Sequence, residues 1–121
     1  LRRSSAASDV YKRQGNYLLT FEETNKSTEA ILNLKKSLLI NSENAYAWYL
    51  LSRAYAQTGS ISLANYATAE RYFLIGEREL SYEFAVKALK QIEENSPEWY
   101  RSNDLIEILQ KEVSKRWWLE V

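Results

Sequence analysis

The 121-residue chain carries 16 Lys+Arg against 16 Asp+Glu, with no histidine and no cysteine, and its length suits one domain. Disulfides, iron–sulfur and thiolate-zinc sites, His-ligated metals and Ser-His-Asp or Cys-His catalysis are excluded within this chain. The balanced charge gives no reason to expect a nucleic-acid surface or a polybasic membrane patch. Apolar residues make up 45% of the chain, enough for a packed core, while 3 Gly and 1 Pro are too few turn formers for a fold of many short strands.

The opening run LRRSSAASDVYKRQ (residues 1–14) has no apolar stretch of the signal-peptide kind. It resembles the peptide obtained when library adapter sequence is translated at the ends of shotgun assemblies. That resemblance implies a non-native, disordered segment over residues 1–14. The native part would then be a helical domain over 15–121, a piece of a longer protein, with 12 basic and 15 acidic residues and a net charge of −3.

From Gly15 onward the apolar spacing is helical. Tyr17, Leu18 and Phe21 form a short stripe. Ala30, Ile31, Leu34 and Leu38 form the next, with Ser27 or Thr28 as its cap. A third helix runs over residues 45–57 after the capping run Asn41-Ser42-Glu43-Asn44, with Trp48, Leu51, Ala54 and Tyr55 on one face and Gly59 beyond its last turn. A fourth covers about 61–74 and closes at Gly76. A fifth covers about 80–93, with Phe84, Ala85, Ala88, Leu89 and Ile92 inward. Ser96-Pro97 reads as an N-cap followed by proline at the first helical position of a sixth. No stretch of about 18 apolar residues offers a transmembrane span.

Trp48-x-x-Leu51-Ser52-x-x-Tyr55 fits the tetratricopeptide pattern W-x-x-L-G-x-x-Y, with serine at the small position. Ala64 falls at the small place of the second helix, and Ala30 lies 34 residues before it. The same offset makes Tyr17, Leu18 and Phe21 equivalent to Leu51, Ser52 and Tyr55. Gly59 and Gly76 are 17 residues apart, half a repeat. The fourth helix therefore closes one pair and opens the next, with Tyr72 in a first-helix place and Ala88-Leu89 closing the following unit. The expectation is an all-α chain of tetratricopeptide-like antiparallel helix pairs, stacked in a short right-handed solenoid of about six helices, because one pair cannot bury its apolar stripe alone. An unrelated helical bundle is the alternative.

The half-repeat wording, with Ala69-Glu70-Arg71-Tyr72-Phe73 before Gly76 and Ser96-Pro97-Glu98-Trp99 with Arg101 and Asp104, resembles the C-terminal tetratricopeptide region of BepA-like bacterial periplasmic zinc metallopeptidases. The likeness spans residues 16–110. It implies a linked HExxH domain that would hold zinc, a periplasmic setting and a role in envelope protein quality control. This chain has no HExxH, so no catalytic residue, metal ligand or cofactor is assigned to it.

The implied function is binding or positioning of protein clients. In this architecture the first helix of each pair lines the concave face, which nominates Tyr46, Tyr49, Arg53 and Gln57, with Tyr66, Glu70 and Phe73 on the following helix. Aromatics with arginine dominate protein-binding hot spots. The same residues read equally as packing, with Tyr49 and Tyr66 between helices and Arg53 on a nearby carboxylate. The chaperone carboxylate clamp of some tetratricopeptide proteins needs Lys and Asn where this chain has Tyr49 and Arg53, which argues against that partner class. Trp117-Trp118 beside Lys115-Arg116 suits a membrane interface or docking onto a linked domain, or simply packing on the last helix. Glu22-Glu23 and Glu93-Glu94 point apart on a helix and read as solvated. Asn25-Lys26-Ser27 matches the short glycosylation sequon. The competing function is a free-standing repeat scaffold or adaptor with no protease attached.

Overall fold

The computed structural model describes residues 2–19 and 24–120, with side chains described over 6–18 and 26–112. It is all-α, with six helices: α1 Arg2–Leu19, α2 Thr24–Ile40, α3 Ala45–Gln57, α4 Ile61–Ile75, α5 Arg78–Leu89 and α6 Pro97–Glu120. Successive helices run antiparallel and pack on one another in a repeat-like stack.

The helix ends are set by local chemistry. Asn44 accepts the Ala47 N–H through its side chain at 3.1 Å and starts α3. Gly59 and Gly76 both adopt the left-handed backbone, φ 82° and 86°, which side-chain-bearing residues rarely take. At the second of these the Glu77 N–H bonds back to the Tyr72 carbonyl at 2.9 Å, which closes α4. Ser96 accepts the Trp99 N–H at 3.2 Å and opens α6.

The apolar core has two parts. The larger gathers Leu34, Leu38, Trp48, Leu50, Leu51, Tyr55, Tyr66 and Ile92 around the alanines 30, 47, 54, 64, 67 and 88. The smaller joins Ala69, Ala85, Leu105 and Leu109 between α4, α5 and α6. Helix α4 contributes to both. The pattern of second-neighbour contacts follows from that: α1 touches α3 and α4 touches α6, while α3 and α5 do not approach each other among the described residues. Helix α4 is thus the element through which the α5 and α6 packing joins that of α3.

Serine hydroxyls sit where the helices come closest. Ser81 is fully buried and donates to the Ala69 carbonyl at 2.8 Å, fastening α5 to α4. Ser8 and Ser37 are also buried and exchange hydrogen bonds at 2.8–2.9 Å between α1 and α2. A hydroxyl of this size permits close approach and satisfies a carbonyl at the same time.

Four expectations need correction. Residues 2–14 are helical rather than disordered, because Ser8 and Gly15 form a face of small residues on which α2 lies. A Cβ at Gly15 would meet Leu34 Cγ at 2.7 Å. Leu18 is buried and Tyr17 63% exposed, so Tyr17 and Leu18 do not occupy places like those of Leu51 and Ser52. Phe21 lies outside the described residues. Ser27 does not cap α2; it is buried inside the helix and donates to Gln57 Oε1 at 2.6 Å. Finally, Tyr72 and Leu89 are half-buried rather than core, the Tyr72 ring lying 5.6 Å from that of Phe84.

Trp48 is the largest side chain of the core. Its ring stands edge-on to Tyr66 at 5.7 Å and its indole N–H donates to the Ser42 carbonyl at 2.9 Å. Trp48→Ala should destabilise the fold by about 3–5 kcal/mol in denaturant titration. A loss below about 1 kcal/mol, within the range of surface substitutions, would place the ring outside the core. Gly15→Ala should lower the melting temperature despite alanine's helix propensity advantage of roughly 1 kcal/mol, because overpacking against Leu34 costs about 1–3 kcal/mol; a rise in melting temperature would remove the α1–α2 close approach.

Candidate functional site

Five of the seven nominated groove residues divide between two clefts, and Gln57 and Phe73 line neither. The first, of about 640 Å³, lies between α3 and α4 and is lined by Ala45, Tyr46, Tyr49, Arg53, Arg71 and Ile75. Residues 46, 49 and 53 share one face of α3 because their spacing is three and four. The rings of Tyr46 and Tyr49 stack at 6.0 Å with 22° between their planes. Arg53 stands 5.9 Å from the Tyr49 ring centre. Arg71 reaches across from α4 to 4.9 Å from the same ring and is 5.6 Å from Tyr72. Contacts of this kind contribute about 0.5–1 kcal/mol each at exposed sites, which favours a guanidinium over the ring without neutralising it. Lys12 lies 6.0 Å from the Tyr46 ring and pairs with Asp9 at 3.3 Å.

Arg71 was not among the nominated residues. Its position depends on the antiparallel register of α3 and α4, which sets Tyr49 beside it. Gln57, by contrast, continues the spacing of 46, 49 and 53 but its amide oxygen is held by Ser27 of α2, away from this cleft. Arg53 makes no ion pair among the described residues, so the packing alternative, in which a carboxylate neutralises it, does not describe its surroundings.

The second cleft, of about 340 Å³, opens between α2, α3, α4 and α6. It is lined by Lys35, Leu38 and Leu39 from α2, Trp48, Leu51 and Tyr55 from α3, Tyr66 and Glu70 from α4, and Glu98 and Arg101 from α6. Tyr66 and Glu70 thus face away from Tyr49. Phe73, half-buried, lies beyond them beneath two guanidiniums, Arg78 at 4.7 Å and Arg101 at 5.7 Å.

Glu70 is 8% exposed. Its Oε1 accepts from Arg101 Nε at 3.0 Å and its Oε2 from the Tyr66 hydroxyl at 3.4 Å. Burial pushes the Glu70 carboxyl above its ordinary value, and the Arg101 charge and the two hydrogen bonds offset part of that rise. Burial, with the Glu70 carboxylate alongside, drives the Tyr66 hydroxyl upward as well. Tyr55 is pushed up to about 12 by burial and by the nearby Glu98 carboxylate. The two tyrosine hydroxyls stay protonated near neutral pH, and the cluster ties α4 to α6.

No three His, Cys, Asp or Glu side chains converge as a metal site among the described residues, and no described helix is long and apolar enough to cross a membrane. The side chains of Trp117 and Trp118 lie outside the described residues. Ser27 of the Asn25-Lys26-Ser27 sequence is buried, and Glu93 and Glu94 are exposed. No protein-family model, curated protein or solved structure matches the chain.

The buried carboxyl gives a pH prediction. Native Glu70 keeps its proton to higher pH than it does in the unfolded chain, whose value is near 4.5. Across that window the native state binds more protons, so the Glu70 contribution to stability falls as pH rises. Thermal melts of wild type and Glu70→Gln from about pH 4 to pH 8 should show the wild type losing ground to the variant as pH increases. The wild type gaining ground instead would mean that the Arg101 pairing outweighs desolvation.

Proposed function

We propose that this chain is a protein-interaction module that binds or positions segments of other proteins, and that the α3–α4 cleft is its contact surface. The observation that carries the reading is the stacked Tyr46–Tyr49 pair flanked by Arg53 and Arg71 in an open cleft. Tyrosine and arginine are the residues most enriched among binding hot spots, because each offers large contact area with a polar tip. Nothing in the cleft supplies a nucleophile beside a base, so the reading is recognition rather than catalysis.

The sequence likeness to BepA-like periplasmic metallopeptidases supports a more particular form of the proposal. In it, the helical module presents clients to a linked zinc metallopeptidase domain of envelope quality control. The zinc would belong to that domain. This chain, without His or Cys, does not fit as its ligand set, and no chemical step is assigned to the chain.

The test uses an array of immobilised peptides of random sequence probed with the purified chain. A subset should bind, and Tyr49→Ala and Arg71→Ala should each weaken that binding at least about tenfold, roughly 1.4 kcal/mol, with helical circular dichroism unchanged. Binding indifferent to both substitutions, or no bound peptide at all, would end the proposal.

A further inference from the structure

Two cations share one ring in the α3–α4 cleft. Arg53 and Arg71 approach the Tyr49 ring to 5.9 and 4.9 Å, and neither has an ion-pair partner among the described residues. Two other arginines are treated differently: Arg78 pairs with Glu112 at 3.4 Å and Arg101 with Glu70 at 3.0 Å. The cleft lining holds no carboxylate, although the chain as a whole has as many acidic as basic residues. Two like charges placed on one ring repel, and an anion between them relieves that repulsion. A guanidinium is a planar fork of N–H donors that matches a carboxylate, and aromatic contact leaves those donors free. At the other end of the cleft, Ala45 and the half-exposed Ile75 offer an apolar seat.

We infer that the α3–α4 cleft takes an extended protein segment bearing acidic side chains next to an apolar one, with Arg53 and Arg71 receiving the carboxylates and Tyr46–Tyr49 and Ile75 receiving the apolar side chain. This rests on the protein-binding reading above and adds the chemistry of the partner. Lys12, at the Tyr46 ring, is paired with Asp9, so the unpaired charge on the platform is two guanidiniums, which matches one or two carboxylates. A nucleic-acid backbone would instead need a long basic track.

The experiment measures fluorescence anisotropy of the full chain with labelled peptides of one apolar framework, carrying Asp/Glu, the isosteric Asn/Gln, or Lys, and with a single-stranded oligothymidylate. The acidic peptide should bind at least about tenfold tighter than its amide isostere. That advantage should shrink as salt is raised and vanish in the Arg53→Gln/Arg71→Gln double variant, whose circular dichroism reports its folding. Equal binding of acidic and amide peptides, both weakened by Tyr49→Ala, overturns the acidic preference and leaves the protein-binding reading standing. No peptide bound at all overturns both. Oligothymidylate binding tighter than the acidic peptide also overturns the inference.

Discussion

Ala64 and Ala67 let α4 lie against α3, and Ala69, opposite Ser81 and Ala85, lets the same helix lie against α5. Small side chains on two flanks of one helix are the constraint on which the rest of the arrangement depends. A larger residue on either flank would force one neighbour outward, and each residue of added bulk in a packed interface costs about 1–3 kcal/mol. Because α4 satisfies α3 and α5 together, the chain does not need α3 and α5 to meet. The space left on either side of the α3–α4 contact becomes the two clefts.

The two clefts differ in how their charge is handled. On one flank of α4, Glu70 is buried but its two oxygens are occupied by Arg101 and Tyr66, so the charge is spent inside the fold. On the other flank Arg71 is held by aromatic faces alone, which orient a guanidinium and leave its donors available. Adjacent residues on one helix thus take opposite roles because they point about 100° apart: one ties helices together, the other faces outward to whatever enters.

Much of this was readable from the sequence, for reasons that can be named. Helix α3 runs over the residues its cap and its terminal glycine indicated, because Asn44 and Gly59 act within their own few residues. The end of α4 was readable from Gly76, which takes the left-handed backbone there. The face of Tyr46, Tyr49 and Arg53 followed from helical periodicity. What escaped the reading depends on partners distant in sequence. Ser8 and Gly15 give no hydrophobic signal, so α1 was invisible to a search for apolar stripes. Ser27 looks like a cap until Gln57 is placed beside it. Arg71 enters the cleft, and Tyr66, Glu70 and Phe73 leave it, through the rotation of α4 about its own axis, which is fixed by the alanines packed on it and cannot be read from α4 in isolation.

The sharing of α4 also bears on how the molecule comes apart. In an array where each unit touches only its neighbours, the ends open independently and stability is a sum of local terms. Here one helix supplies residues to both parts of the core. Opening α5 and α6 uncovers Ala69 on α4 and strips Ile92 and Ala88 from the larger cluster, so disturbance at one end reaches the other through a single element. A helix that packs into both clusters thus couples the two ends of a repeat-like stack through shared burial rather than through neighbour contacts alone.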